Sequence, residues 1–142
     1  MTPMTSSKHP VTGEPNGPIV LVVDDEESIR RLASRALKMV GYRVFEASGG
    51  TEALRYLDGD APLDLLLTDI NMPDIKGDEV ARRFRRARPE LKVLYLSGFV
   101  DALFAERPVL WEDEAFLDKP FTIKGLLEAV SLLTSGHLAA SA

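Results

Sequence analysis

The chain has 142 residues, of which 45% are hydrophobic and 27% charged, and its net charge is −5 at pH 7. This size and composition fit one ordinary globular domain, and the acidic balance argues against a general nucleic-acid binder, which needs a basic surface. Because there is no cysteine, disulfides, cysteine nucleophiles and cysteine-based zinc sites are excluded.

The two ends of the chain differ in composition from the middle. Residues 1–18 contain four prolines and almost no large apolar side chain, so we expect a flexible tail. Residues 136–142 are expected to fray, which leaves one folded domain at 19–135. No apolar run approaches the roughly 20 residues of a membrane helix, and the start lacks the apolar centre of a secretory signal. We therefore expect a cytoplasmic protein that makes no membrane contact.

Between these ends, predicted strands alternate with predicted helices. The run "IVLVV" at 19–23 is typical of a strand that is buried on both faces. A helix at 26–41 follows, with Ile29, Leu32, Ala33, Ala36, Leu37 and Val40 on one stripe, and ends at Gly41. Further strands are predicted at 42–47, within 61–69, at 92–98 and at 115–119, and further helices at 50–58, 77–87, 101–106 and 122–134, the last with Thr122 as its N-cap.

Five strands that alternate with five helices through short connections predict a parallel sheet covered on both faces. We expect right-handed crossovers and the flavodoxin-like (βα)5 doubly wound fold, with strand order 2-1-3-4-5. In such sheets, ligands bind beyond the carboxyl ends of the strands, where the strand order reverses. That point lies between the first and third strands.

Acidic residues occupy this predicted point. Asp24 and Asp25 follow the first strand, and Asp69 ends the third. Two unit charges about 4 Å apart repel by about 4 kcal/mol at an effective dielectric near 20, so a carboxyl must take a proton or a cation must neutralise the group. Oxygen ligands suit Mg²⁺ or Mn²⁺. The alternative for Asp24 and Asp25 is a solvated N-cap of the next helix.

Two other strand ends carry complementary groups. Ser97 ends the fourth strand and Lys119 the fifth, which places a hydroxyl and an ammonium at the same edge of the sheet. A lysine there stabilises the charge that develops on a phosphoryl group. Taken alone, Ser97 reads as a turn residue and Lys119 as a surface lysine. They indicate phosphoryl chemistry only because they are predicted to lie at the same edge of the sheet as the acidic residues.

The motifs "VVDDEE", "LLLTDINMPDIKG", "VLYLSG" and "FLDKPF" follow one another at the predicted strand ends. Together they resemble the receiver domain of two-component response regulators, over residues 19 to about 134. The segment "LYLSGF" is similar to receivers attached to hybrid sensor kinases. Because no recognisable output module follows residue 135 in this sequence, we expect a stand-alone receiver.

This resemblance implies a phosphoryl-accepting function. Asp69 would take a phosphoryl group from a histidine kinase or a histidine phosphotransfer protein. Asp24, Asp25, Asp69 and the backbone carbonyl of Asn71 would hold Mg²⁺ (or Mn²⁺). Ser97 and Lys119 would contact the phosphoryl oxygens, and Ser97 and Phe116 would form a conformational switch. The alternative for Phe116 is a plain core residue. The resemblance also implies a cis peptide bond between Lys119 and Pro120.

The expected output is contact with an unknown downstream protein, by a monomer or weak dimer that binds no nucleic acid. One alternative is an interaction module that never uses phosphate. Another is an Asp-nucleophile phosphohydrolase, but enzymes that resemble the haloacid dehalogenase group need a second aspartate where this chain has Asn71. The chain departs from the family pattern in its short predicted helix at 101–106, and Phe99 is bulky for a position beside the phosphoryl group.

Overall fold

The computed structural model describes residues 17–59, 61–97 and 114–135. The predictions made for residues 1–16, Phe99, the helix at 101–106 and residues 136–142 lie outside these ranges. The strands are β1 (Ile19–Val23), β2 (Arg43–Ala47), β3 (Leu65–Asp69), β4 (Lys92–Ser97) and β5 (Glu114–Asp118). The helices are α1 (Glu27–Met39), α2 (Gly50–Leu54, continued by a 3₁₀ turn at Arg55–Asp58), α3 (Gly77–Ala87) and α4 (Ile123–Ser135).

All strand pairs are parallel, and the sheet order is β2-β1-β3-β4-β5, as predicted. Val23 lies opposite Thr68 in the β1–β3 pair, so these strands end level with each other. Ser97 lies opposite Asp118 in the β4–β5 pair, one residue before Lys119. The register therefore brings the carboxyl ends of four strands to one edge.

Each face of the sheet carries its own core. Leu21 and Val23 of β1 pack with residues of α2 and α3 on one face. Val20 and Val22 pack with residues of α1 and α4 on the other. This alternation follows from the two-residue period of a strand, and burial on both faces explains why β1 and β3 read as continuous apolar runs. No helix of the described residues is long and apolar enough to cross a membrane.

The predicted apolar stripe of α1 is only partly correct. Ala33, Ala36 and Leu37 are buried, but Leu32 is 40% exposed and Val40 is 54% exposed. Leu32 lies at the margin of the stripe. Val40 is the C-cap residue, where the backbone has left the helical conformation, and so it does not continue the stripe. The helix packs on the sheet through Ala33, Ala36 and Leu37, with the partly buried Ile29 beside them.

Local signals at two helix ends are confirmed. Gly41 has φ 104°, and the N–H groups of Gly41 and Tyr42 donate to the carbonyls of Lys38 (3.2 Å) and Leu37 (3.1 Å), which is the Schellman arrangement. At the start of α4, the Thr122 hydroxyl accepts a hydrogen bond from the Gly125 N–H at 2.9 Å. The Lys119–Pro120 peptide bond is cis, as expected.

The loop from β3 to α3 is held against α2 by a single carboxylate. Asp74 accepts hydrogen bonds from the N–H groups of Gly50 (3.1 Å), Thr51 (2.8 Å) and Ile75 (2.7 Å). These bonds favour the ionised form and hold the pKa of Asp74 far below its usual range, with the Thr51 N–H as the main cause. The loop that leaves Asp69 is thereby tied to the first turn of α2.

The first residue of α3 lies against the backbone of Asp69. The Gly77 N–H donates to the Ile70 carbonyl at 2.8 Å. A Cβ atom at position 77 would lie 1.9 Å from the carbonyl oxygen of Asp69, a clash that no side-chain rearrangement removes. Glycine is therefore required here because the helix start approaches the chain so closely.

We predict that Gly77→Ala destabilises the protein by about 1–3 kcal/mol, because the backbone at Asp69 must move to admit the methyl group. Urea unfolding measures this cost. Gly59→Ala is the matched control, since a Cβ there meets nothing within 4 Å, and it should change the free energy of unfolding by under about 0.5 kcal/mol. Equal stability of the two variants would contradict the close approach at Gly77.

Candidate functional site

Three carboxylates meet beyond the ends of β1 and β3. Asp24, Asp25 and Asp69 each offer an oxygen, and these atoms all lie within 4.8 Å of one another. Asp24 is fully buried, Asp69 is 6% exposed and Asp25 is exposed. The site forms here because β1 and β3 are neighbours that end level, so residues distant in sequence become adjacent.

Asp24 serves two purposes at once. Its Oδ1 accepts the Glu26 N–H at 2.9 Å, but Glu26 is the N-cap of α1 and no side chain of the described residues caps the helix, so the alternative of a solvated N-cap is wrong for the buried Asp24. Its Oδ2 lies 3.0 Å from Lys119 Nζ, although no directed hydrogen bond from the described residues reaches this buried oxygen. One oxygen thus shapes the turn while the other faces the site.

Lys119 brings a positive charge into the cluster. Its Nζ lies 3.0 Å from Asp24 Oδ2, 3.4 Å from Asp69 Oδ1 and 3.4 Å from Glu26 Oε1, and its side chain is 16% exposed. One ammonium therefore faces three carboxylates, with Asp25 close by, and the cluster retains an excess of negative charge.

The pKa values of the site residues reflect both burial and this excess of negative charge. Burial, followed by the charge of Asp24, raises the pKa of Asp69 to about 6, and Lys119 only partly offsets this. Burial also raises the pKa of Asp24 against the opposing effects of the Glu26 N–H and Lys119. Burial opposes the charge on Lys119, but its 3.0 Å contact with Asp24 and the charges of Asp24, Asp69 and Glu26 together outweigh that effect and raise the pKa of the ammonium. The site favours an added cation.

The residues present fit a hard divalent cation. The donors are carboxylate oxygens, and the buried Asp24 Oδ2 has no directed hydrogen bond among the described residues. Oxygen donors with excess negative charge are what Mg²⁺ and Mn²⁺ prefer. The structure therefore supports the sequence-based expectation of a divalent-cation site at these three aspartates.

The other predicted site residues lie on β4, on β5 and in the loop after β3. Ser97 is fully buried at the end of β4, and its carbonyl accepts the Lys119 N–H at 2.9 Å. Phe116 is half-buried, with its ring centroid 5.6 Å from that of Tyr95. Asn71 is exposed, two residues beyond Asp69. The roles of Ser97, Phe116 and Asn71 remain predictions.

Sequence reasoning missed a buried carboxylate, that of Glu114, at the start of β5. Glu114 lies in an acidic stretch, but β5 begins there and buries its side chain completely. The Tyr95 hydroxyl donates to Glu114 Oε2 at 3.0 Å, and Arg85 Nη1 of α3 lies 3.6 Å from the same oxygen. Only a weak signal in the sequence indicated this buried pair. Arg85 directly follows the buried Phe84, so it lies at the margin of the apolar face of α3.

We predict that the stability of the metal-free protein falls as pH rises from about 4 to about 6, because the folded state binds the Asp69 proton more tightly than the unfolded state does. Asp69→Asn removes this effect. In EDTA the variant should exceed the wild type in stability by about 1–3 kcal/mol near pH 7.5, and the gain should vanish near pH 4.

Urea unfolding at both pH values measures this difference. Asp118→Asn, at the exposed end of β5, is the matched control and should show no such pH-dependent gain. A gain for Asp69→Asn that did not depend on pH would contradict the assignment of the raised pKa to Asp69.

We also predict that Tyr95→Phe lowers the free energy of unfolding by about 1–3 kcal/mol, because a buried acceptor on Glu114 loses its hydroxyl donor. Tyr56→Phe is the control, since the Tyr56 ring packs on Phe45 and its hydroxyl has no hydrogen bond within the described ranges. Chemical denaturation compares the two variants, and equal losses would show that the hydroxyl of Tyr95 contributes nothing specific.

The relatives found by comparison with known proteins include a sensor kinase and a receiver protein. The sensor kinase CckA of Brucella abortus (strain 2308) is 35% identical over 112 residues, which are 78% of this chain and 12% of the kinase. The response regulator receiver protein CpdR of the same organism is 33% identical over 111 residues, which are 78% of this chain and 92% of CpdR. This chain thus spans a small part of the kinase and nearly all of CpdR.

The fold and the sequence profile agree with these relatives. The crystal structure of response regulator protein TrrA from Thermotoga maritima, in complex with Mg²⁺–BeF, aligns with a TM-score of 0.71 and 33% identity, covering 82% of this chain and 98% of TrrA. The profile of the response regulator receiver domain matches residues 20–131. The chain therefore belongs to the response regulator receiver domain family of two-component signalling, whose members are signalling domains rather than enzymes.

Proposed function

We propose that Asp69 accepts a phosphoryl group from the phosphohistidine of a histidine kinase or histidine phosphotransfer protein, in a reaction that depends on Mg²⁺. The observation that carries this proposal is the placement of the Asp69 carboxylate, buried beside Asp24 and Asp25 and 3.4 Å from Lys119 Nζ. Phosphoryl transfer needs positioning and charge neutralisation more than covalent assistance, and this cluster offers both.

The transfer step is a substitution at phosphorus. A carboxylate oxygen of Asp69 attacks, the bond between phosphorus and the histidine nitrogen breaks, and its electron pair returns to the imidazole. The products are an acyl phosphate on Asp69 and a free histidine. The pKa of about 6 leaves Asp69 largely ionised at neutral pH, so the nucleophile needs no separate general base.

Asp24, Asp25, Asp69 and the backbone carbonyl of Asn71 would hold the metal ion. When bound, Mg²⁺ or Mn²⁺ would supply charge neutralisation for the phosphoryl oxygens. The chemistry of the donors and the excess negative charge support this assignment, as does the Mg²⁺–BeF complex of TrrA. Before transfer, Lys119 partly neutralises the same carboxylates.

After transfer, the Ser97 hydroxyl and the Lys119 ammonium would contact the phosphoryl oxygens. Ser97 ends β4 at this edge, and Phe116 lies on the strand beside it, in register with Tyr95. Movement of Ser97 toward the phosphoryl group would favour a new position of the Phe116 side chain. Phosphorylation then shifts a two-state equilibrium rather than creating a new fold.

The proposed output is contact with a downstream protein by a monomer or weak dimer in the cytoplasm, where the ATP that charges histidine kinases is found. Kinase receivers are among the relatives, which supports a histidine kinase as the donor. The net charge of −5 makes nucleic acid an unsuitable target.

We predict that acetyl phosphate with Mg²⁺ adds one phosphoryl group to the wild-type chain, because the carboxylate cluster and Lys119 position Asp69 for attack. The addition should be absent in Asp69→Asn and without Mg²⁺. Intact-mass spectrometry measures it, and Asp118→Asn, an exposed aspartate of β5, is the matched control that keeps the addition.

A phosphorylated histidine phosphotransfer protein serves as a second donor. No addition from either donor would overturn the proposed function in favour of a phosphate-independent module. Sustained turnover of p-nitrophenyl phosphate that required Asp69 would instead indicate a phosphohydrolase.

A further inference from the structure

Arg30 lies beside the site but has no part in the chemistry proposed above. It belongs to the first half of α1, and its side chain is only 14% exposed. Its Nε donates to Glu46 Oε1 of β2 at 3.0 Å, and its Nη1 donates to the backbone carbonyl of Asp24 at 3.0 Å. A nearly buried arginine that binds the backbone of a site residue calls for an explanation, because burying a charge is costly unless its hydrogen bonds are well made.

The carbonyl that Arg30 binds belongs to the peptide unit joining Asp24 to Asp25. Because a peptide unit is planar, a hydrogen bond to this oxygen restricts the rotation of the whole unit. The N–H of Asp24 is held separately by the Ala47 carbonyl at 3.2 Å. Both backbone groups of Asp24 are therefore anchored, and the directions in which the two carboxylates leave the chain depend on these anchors.

The guanidinium is itself held in place. Glu46 precedes Ala47 on β2, so the ion pair at 3.0 Å connects Arg30 to the strand that also anchors the Asp24 N–H. A guanidinium is a rigid planar fork with several donors, so one whose Nε is held by Glu46 presents its Nη1 to the Asp24 carbonyl in a defined direction. The arrangement ties α1, the β1–α1 turn and β2 together at the metal-binding edge.

We propose that Arg30 is a positioning residue for the divalent cation: its hydrogen bond to the Asp24 carbonyl orients Asp24 and Asp25 and so increases the affinity of the site for Mg²⁺. This inference rests on the proposed metal dependence of the site. It goes further by assigning a function to Arg30, whose side chain is not a metal ligand. Groups that orient metal ligands from outside commonly contribute 10–100-fold in affinity.

For the loss of Arg30, the proposal and simple electrostatics predict opposite changes in Mg²⁺ affinity. A positive guanidinium near an acidic site repels Mg²⁺, so loss of its charge alone strengthens binding. Loss of orientation weakens binding. Arg31 provides the matched control, because it is the next residue of α1 and forms an exposed ion pair with Glu27 at 2.7 Å. Replacing either arginine by glutamine changes the net charge equally.

The experiment is calorimetric titration of the full chain with MgCl₂, comparing wild type, Arg30→Gln and Arg31→Gln. We expect Arg30→Gln to weaken Mg²⁺ binding by about tenfold. Arg31→Gln should bind Mg²⁺ as tightly as the wild type or slightly more tightly. Circular dichroism and urea unfolding in EDTA establish that each variant is folded before the titration.

The titration distinguishes failure of the positioning role from failure of the proposed metal dependence. If Arg30→Gln bound Mg²⁺ as tightly as Arg31→Gln, the positioning role would be overturned while the proposed function stood. If the wild type did not bind Mg²⁺, the metal dependence in the proposed function would fail and this inference with it.

A second variant covers the case in which Arg30→Gln does not fold. Arg30→Lys keeps the positive charge but lacks the planar fork that reaches both Glu46 and the Asp24 carbonyl, so it should weaken Mg²⁺ binding several-fold with no change in net charge. Unchanged binding by Arg30→Lys would overturn the proposal.

Discussion

The main constraint on this structure is that two carboxylates, those of Asp24 and Asp69, are buried side by side at the ends of adjacent strands. Neither is more than 6% exposed, and each raises the cost of ionising the other. Such an arrangement persists only if other groups are placed to oppose the repulsion. Lys119 places a positive charge 3.4 Å from Asp69 Oδ1, but burial and the charge of Asp24 still raise the pKa of Asp69, so one ammonium does not offset them. The site is therefore prepared to gain free energy from a bound cation.

The surrounding backbone keeps this unfavourable cluster in place. Gly77 lets α3 start directly against the Asp69 carbonyl, and Asp74 ties the same loop to α2. Arg30 holds the Asp24 carbonyl from the other side. These contacts involve backbone groups rather than the carboxylates themselves. The reactive side chains thus remain available for chemistry while their attachment points are fixed.

The sequence predicted the parts of this structure that depend on periodicity and local chemistry. The continuous apolar runs of β1 and β3 identify buried strands, and Gly41 and Thr122 mark helix ends through backbone geometry alone. It did not predict the exposure of Leu32 or the contacts of Arg30 and Glu114. Which carbonyl or carboxylate an arginine reaches depends on how a helix sits on the sheet, and spacing along the chain carries no such information.

The arrangement of the site along the chain has a consequence for synthesis. Its aspartates come from β1 and β3, and its lysine follows β5, so Lys119 meets Glu26 across 93 positions of sequence. Parallel pairing of this kind is intrinsically slow, because long loops must close before the contacts form. A nascent chain lacks the neutralising ammonium until its fifth strand has joined the sheet. The phosphoryl acceptance proposed for Asp69 would therefore begin only when the last strand has been added to the sheet.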